Sequence, residues 1–152
     1  MWFTFRAADA ELLPMPTAPP SRLVLPLIFA GGGLGSAARW GLEAAFASPP
    51  GTFPWCTMAI NASGSLLLGA LLAGLGAPAR VTPARRLTRA CLGTGVLGGF
   101  TTYSAFALEA VELIAAGRAW LAAAYVAASV GVGVAAALAG GAAVRATQRR
   151  RP

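Results

Sequence analysis

The chain has 152 residues, of which 57% are hydrophobic and only 11% are charged, whereas typical soluble domains carry roughly 25% charged residues. It has no histidine, and its two cysteines, Cys56 and Cys91, both lie in apolar runs. A zinc site, a disulfide-stapled secreted domain and a histidine-dependent hydrolase are therefore disfavoured. The net charge is +7, but every basic residue is an arginine, and the arginines cluster at the ends of apolar stretches. That placement is typical of a membrane protein and argues against nucleic-acid binding.

Four apolar segments are long enough to cross a bilayer, whose hydrocarbon core takes about 20 residues of helix. They are predicted at about 23–46, 56–77, 87–113 and 118–144, with turns at Ser48–Gly51 with Pro54, at Pro78–Arg89 and at Ala116–Arg118. The predicted fold class is therefore an all-α integral membrane protein with four transmembrane helices.

One four-helix domain is expected over residues 22–146. The proline-rich residues 1–21 are predicted to form a disordered N-terminal extension, which begins at Met1 or at Met15. Residues 147–152 are predicted to form a basic C-terminal tail.

Small residues recur at four-residue spacing in all four spans, and in lipid this pattern lets helix backbones approach closely. It predicts a tight bundle that includes a second chain. The pairs are Gly31/Gly35, Gly32/Ser36, Ser65/Gly69, Gly95/Gly99 and Gly131/Ala135. The string from Gly33 to Ala38 also fits the G-x-G-x-x-A dinucleotide motif, but no acidic residue follows about 20 positions on, so helix packing is the better interpretation.

The third span is predicted to break near its middle, over Gly98 to Thr102. Paired glycines disfavour a helix, and the paired threonines that follow them are stiff at χ1. A broken helix in lipid exposes backbone groups, which are tolerated where they bind an ion, line a wet pathway or are buried in protein. The alternative interpretation is a glycine-rich packing face on a continuous helix.

Uncharged hydrogen-bonding groups lie within the spans, and no basic residue lies at mid-span. Asn61 carries the amide of the second span, Ser104 adds a hydroxyl to the third, and Tyr125 and Ser129 share one face of the fourth because they are four residues apart. Such a set of neutral donors favours a pathway for a small anion.

Two aromatic residues three positions apart, Tyr103 and Phe106, place their rings on one helical face. The edge of an aromatic ring is electropositive, so these rings could contact an anion as weak donors. Ordinary core packing is the alternative interpretation of this pair.

The string Gly98-Gly99-Phe100-Thr101-Thr102-Tyr103-Ser104-Ala105-Phe106, followed by Glu109, resembles the third-helix signature of the CrcB/Fluc fluoride channels. The stretch from Gly31 to Trp40 and the stretch from Gly51 through Asn61 to Gly64 agree with the first and second helices of that family. The resemblance covers about Leu23 to Val144. It implies a passive, fluoride-selective channel, not an enzyme, that exports fluoride across the inner (plasma) membrane and lowers its toxicity.

The resemblance also implies an architecture and a set of site residues. The family's channel is an antiparallel dimer with two fluoride pores and a structural sodium ion at its centre. Carried over by position, the fluoride pathway is Asn61, Tyr103, Ser104, Phe106, Tyr125 and Ser129, Na+ is bound by the backbone carbonyls of Gly98 and Thr101, and Arg39 and Glu109 lie towards the vestibules. This sequence has Tyr103 where the family usually has Phe, and Ala105 where it usually has Thr.

Two other functions stay open at this point. A small proton-coupled multidrug exporter also has four helices, but it needs a membrane-embedded carboxylate in the first span. The nearest acid there, Glu43, lies near the helix end, four residues after Arg39, at the spacing of an ion pair. A non-transporting assembly subunit would explain the small-residue faces but not Asn61 or the broken span.

The arginines predict a fixed orientation. With four spans, both termini and the second loop share one side, and this side carries ten arginines against two, Arg39 and Arg118, on the other. The positive-inside rule then places both termini in the cytoplasm. An antiparallel dimer would need a paralogous partner of opposite bias, with a dual-topology homodimer as the alternative. The ten are Arg6, Arg22, Arg80, Arg85, Arg86, Arg89, Arg145, Arg149, Arg150 and Arg151.

Overall fold

A computed structural model describes residues 22–76 and 82–150, and within these ranges all regular secondary structure is helical, with no strand. The all-α fold class is thus confirmed. The helices are α1 (Val24–Phe46), α2 (Trp55–Leu75), α3 (residues 83–100), α4 (Ser104–Ala115) and α5 (Ala119–Arg149). Helix α3 starts as α-helix over Pro83–Thr88, widens to a π-helix over Arg89–Leu97 and returns to α-helix over Gly98–Phe100.

The helices pack in two parallel pairs, α1 with α3 and α2 with α5. Along α1 and α3, Ile28 faces Gly95 and Gly32 faces Gly99, so both chains advance in the same direction. Along α2 and α5, Ser65 lies beside Gly133 and Gly74 beside Val144. The chain therefore makes four passes of alternating direction, and α3 and α4 together form the third pass.

The helices pack so closely at several glycines that no side chain fits between the two backbones. A Cβ atom on any of five glycines would collide with the backbone of the facing helix, so the small-residue prediction is confirmed for the pairs on α1, α2 and α3. The pair Gly131/Ala135 is different, because nothing lies within 4 Å of the Cβ position of Gly131. This turn of α5 faces outward in the single chain, so the prediction for this pair, which includes a second chain, stays a prediction. The five glycines are Gly31, Gly35, Gly69, Gly99 and Gly140.

The turns follow local chemistry. The predicted first turn is present over residues 47–54, where Gly51 has a positive φ of 75° and Thr52 N donates to Pro49 O at 3.1 Å. The predicted third turn is present too: Gly117, with φ 74°, lets Arg118 N donate to Leu113 O at 2.8 Å and closes α4.

Two predicted boundaries need correction. Helix α3 begins at Pro83 rather than near residue 87, because Thr82 caps it and proline suits the first helical position. Helix α5 continues to Arg149, into the predicted tail of 147–152. The arginines at its end limit the apolar span, but arginine is compatible with a helix and does not end it. The predicted extension, residues 1–21, and the start of the second turn, residues 77–81, lie outside the described residues.

Within the described ranges, α2 and α5 are each long and apolar enough to cross a membrane. Helix α1 is less apolar because it carries Arg39, Glu43 and five glycines. The third pass is interrupted, and its longest α-helical element, α4, has 12 residues. Large apolar side chains such as Phe29, Trp40 and Leu138 point outward, which is the surface expected of a chain surrounded by lipid or by a second chain.

Candidate functional site

The interruption of the third pass is the centre of the site. Helix α3 ends at Phe100, Thr101 is extended with φ −77° and ψ 155°, and α4 starts at Ser104. The predicted break is confirmed, but it lies two to three residues later than the paired glycines that suggested it. Gly98 and Gly99 stay helical, and a Cβ atom at Gly99 would collide with the backbone of Gly32 on α1.

Asn61 on α2 holds the break open. Its Nδ2 donates to Thr102 O at 2.9 Å, and its Oδ1 accepts a hydrogen bond from Thr102 N at 2.8 Å. This side-chain amide thereby satisfies both backbone groups of a residue that is 8% exposed, and an unpaired buried backbone group would be costly. The second N–H of Nδ2 is left for another acceptor.

The Thr102 side chain starts the next helix. Its Oγ1 accepts a hydrogen bond from Ala105 N at 3.1 Å, and it lies 3.2 Å from Ser104 Oγ. Ser104, a predicted pathway residue, is thus joined to the break through Thr102. Thr102 was predicted as the end of the helix break, and its capping role was not predicted.

A cavity of about 390 Å³ opens beside the break and brings four of the six predicted pathway residues together. Asn61, Phe106 and Ser129 line it, and Tyr103 stands at its outer side with its ring 80% exposed. The rings of Tyr103 and Phe106 are 5.9 Å apart and tilted by 46°. The buried Ser129 Oγ has no hydrogen-bond partner among the described residues.

The remaining two predicted pathway residues do not line this cavity. Ser104 is at the start of α4, and Tyr125 is fully buried, with its ring 5.3 Å from that of Phe106. The Tyr125 hydroxyl donates to Glu109 Oε2 at 2.7 Å. Thr57 donates to the other oxygen, Oε1, at 2.6 Å.

Thr57 was not among the predicted site residues. It lies on α2 four residues before Asn61 and therefore on the same helical face, which is the sequence signal that could have found it. The two hydrogen bonds to Glu109 on α4 come from Thr57 on α2 and from Tyr125 on α5, so they connect these three helices.

Arg39, the predicted vestibule arginine, pairs with Glu43 rather than with Glu109. Its Nη1 lies 3.1 Å from Glu43 Oε2, and its Nε donates to Gly99 O at 3.4 Å. The ion pair expected from the four-residue spacing is confirmed. Arg39 also connects α1 to the end of α3.

Backbone carbonyls at the break offer a set of oxygen ligands. In a continuous helix Thr102 N would donate to Gly98 O, but it donates to Asn61 instead, so Gly98 O loses its helical donor. Gly98 and Thr101 both line the cavity. Oxygen ligands suit hard cations, and unwound carbonyls in broken membrane helices bind Na+, so the residues present fit the sodium ion that the resemblance implies.

A comparison with protein families gives a match over residues 26–141 to the family described as CrcB-like protein, Camphor Resistance (CrcB). The chain belongs to the CrcB-like family. The match includes α1, α2, the break and most of α5.

Relatives with known names agree with this family membership. The chain is 42% identical over 106 residues to the fluoride-specific ion channel FluC 1 of Streptomyces coelicolor, covering 70% of this chain and 67% of that protein. It is 50% identical over 107 residues to FluC of Novosphingobium aromaticivorans, covering 68% and 82%. It is also 50% identical over 103 residues to FluC of Rhodospirillum centenum, covering 67% and 79%. Both of these are named fluoride-specific ion channels.

Proposed function

We propose that this CrcB-like protein is a fluoride-selective passive ion channel that exports fluoride from the cytoplasm across the inner membrane and so lowers fluoride toxicity. The observation that carries this proposal is the cavity at the helix break, lined by uncharged donors, in a chain related to fluoride-specific channels. It is a transport function, with no chemical step.

The chemistry of the cavity suits a small, strongly hydrated anion. Such an ion enters a pore only if several donors replace its water, and it leaves only if none of them holds it too strongly. The spare N–H of Asn61, the Ser129 hydroxyl and the ring edges of Phe106 and Tyr103 supply weak donors, and none of the nine described arginines lines the cavity. Fluoride therefore meets donors without a fixed positive charge buried in the membrane.

The other assigned residues take flanking roles in this proposal. Ser104 joins the pathway through its contact with Thr102, and Tyr125 joins it through its ring contact with Phe106. Arg39 and Glu109 face the wider vestibules, each held by its own hydrogen bonds.

The channel is proposed to work as an antiparallel dimer, with a structural Na+ at the dimer centre. Gly98 is exposed in the single chain and Tyr103 stands open beside the cavity, so both positions suit cover by a second copy or by a paralogous chain. Two carbonyls from each chain, those of Gly98 and Thr101, would supply oxygen ligands to the ion.

A proton-coupled exporter is less well supported. It needs a free carboxylate in the first span, and Glu43, the acid of α1, is bound to Arg39 by both of its carboxylate oxygens, at 3.2 and 3.1 Å.

Fluoride efflux from proteoliposomes, followed with a fluoride electrode while valinomycin balances charge with K+, tests the function. Fluoride should leave down its own gradient without a proton gradient, and chloride should be retained. The Phe106→Ile variant should abolish most of this flux because it removes the ring edge at nearly constant apolarity, whereas Phe29→Ile, on the exposed face of α1, should conduct normally. Proton-driven export of organic cations without fluoride flux would contradict the proposal.

Gly98→Leu tests the dimer and its ion. Within the single chain a Cβ at Gly98 would meet only Gly93 O, at 3.8 Å, so a side chain there has room. If a second chain crosses at this point, the leucine should prevent dimerisation and abolish sodium-dependent stability, both measured in detergent by light scattering and thermal unfolding. Gly131→Leu, whose surroundings are also open, is the control. A stable Gly98→Leu dimer with normal flux would overturn the proposed arrangement.

A further inference from the structure

Charge is segregated between the two ends of the bundle. We call the end at which α1 and α3 begin and α2 and α5 finish the arginine-rich end. It carries seven of the nine arginines in the described residues, and all but Arg89 of these seven are exposed. The three described acids, Glu43, Glu109 and Glu112, belong to the C-terminal half of α1 and to α4, towards the opposite end. The seven are Arg22, Arg85, Arg86, Arg89, Arg145, Arg149 and Arg150.

Two of these arginines are held in place by backbone rather than by acids. Arg89 Nη2 donates to Gly76 O at 2.8 Å, and Arg85 Nη1 donates to Leu75 O at 3.4 Å. Both carbonyls lie at the C-terminus of α2, where the helix dipole favours positive charge. These bonds orient the guanidinium groups but leave their full charge uncompensated. The buried Nε of Arg89 has no acceptor among the described residues, although buried donors are ordinarily paired.

The arginines lie where the apolar surface of the helices ends. The uncharged run of α5 stops at Val144, and Arg145 follows it directly. The Arg145 side chain folds back along α5, and its Nη1 lies 3.1 Å from the Cβ position of Gly141, one turn nearer the bundle centre. In a bilayer this level is the boundary between the acyl chains and the headgroups.

We propose that the arginine-rich end is a binding surface for anionic phospholipids, to which Arg86, Arg89 and Arg145 each contribute a guanidinium group. Guanidinium groups bind phosphate oxygens in bidentate fashion, and basic pockets between membrane helices are suited to anionic headgroups. A lipid is favoured over free phosphate because its acyl chains would lie along the exposed apolar faces of α3 and α5, next to the arginines. The proposal requires that the chain is embedded in a membrane, but it does not depend on fluoride conduction.

Purified protein in detergent, with lipids added back, tests the surface without involving membrane insertion. Native mass spectrometry and thermal unfolding should show tighter retention and greater stabilisation by phosphatidylglycerol than by phosphatidylcholine. The Arg86→Gln/Arg145→Gln variant should bind phosphatidylglycerol about 25-fold more weakly, at about fivefold for each arginine near an anionic surface. Arg118→Gln is the matched control, because Arg118 lies at the opposite end and donates to Gly51 O at 2.6 Å; its affinity should not change.

Three results would overturn the proposal: equal retention of the two lipids by the wild-type protein, equal phosphatidylglycerol affinity in the double variant, or the same stabilisation by inorganic phosphate alone. The first and third need no variant, so they decide the matter even if the double variant does not fold. A positive result with no fluoride flux would support this surface while contradicting the channel function.

Discussion

Ser129 is the cavity residue whose position is least explained by packing. Its hydroxyl is buried without a partner, whereas Asn61 beside it uses its oxygen and one N–H to hold Thr102. An unpaired buried hydroxyl costs about 1–3 kcal/mol. In the proposed channel, this hydroxyl is available to an anion in the cavity.

Ser129→Ala separates this role from a structural one. Removing an unpaired hydroxyl should leave thermal stability unchanged or raise it by up to about 1–3 kcal/mol. Fluoride efflux should nevertheless fall several-fold, because one donor is missing from the pathway. Ser63→Ala is the control, since Ser63 is exposed and its hydroxyl donates to Ile60 O at 3.0 Å. Unchanged efflux in Ser129→Ala would remove Ser129 from the pathway.

The sequence was informative about residue pairs on one helix and much less so about pairs between helices. Arg39 with Glu43 could be predicted because the helical repeat fixes which side chains are neighbours. The partners of Asn61 and Glu109 could not, since they lie outside the same helix, at sequence distances of 41 residues for Thr102 and of 52 and 16 residues for Thr57 and Tyr125. Composition therefore identified which groups are polar, and the fold decided what they bind.

At the scale of helices, the break lies at Thr101 to Tyr103 and so overlaps the threonine end of the predicted range, Gly98 to Thr102. Paired glycines suggested weakness at Gly98 and Gly99, but both residues stay helical, and Gly99 packs closely against α1. The chain leaves the helix where Asn61 captures the backbone of Thr102. No local sequence pattern predicts the hydrogen bonds between Asn61 and Thr102, and none predicts the π-helix over Arg89–Leu97.

The packing of α1 on α3 can be tested with two neighbouring glycines. A Cβ at Gly35 would collide with Val96 O, whereas nothing lies within 4 Å of the Cβ position of Gly33. Gly35→Ala should therefore destabilise the protein by about 1–3 kcal/mol through overpacking. Gly33→Ala should be neutral or stabilising by about 0.5–1 kcal/mol, the helical advantage of alanine over glycine. Thermal unfolding in detergent measures both, and equal effects would contradict the close contact.

At the scale of the whole molecule, a single chain encloses little. Among the described residues few apolar side chains are buried, Ile60, Leu113 and Tyr125 among them, and the cavity beside the break is open. The outward apolar faces and the parallel helix pairs suit a bilayer and a second chain. Which second chain is suitable depends on the way each copy inserts.

The arginine distribution predicts the orientation of each copy. Seven described arginines lie at one end of the bundle, and two, Arg39 and Arg118, belong to the other. Of these two, Arg39 is neutralised by its ion pair with Glu43. Because arginines close to span ends are retained in the cytoplasm, most copies should insert with both termini inside. An antiparallel channel would then be formed with a paralogous chain of opposite bias.

Reporter fusions to the C-terminus, one active only in the cytoplasm and one only in the periplasm, measure this orientation in cells that express the chain alone. The cytoplasmic reporter should give nearly all of the signal, and fluoride efflux should require co-expression with the paralogue. Replacing Arg85 and Arg86, both exposed, with glutamine should shift signal towards the periplasmic reporter, since the bias is reduced close to the span ends. Arg150→Gln, further from the apolar run, should shift it less. Equal signals from the unmodified chain would instead establish a dual-topology homodimer, because only a chain that inserts both ways can form an antiparallel pair with itself.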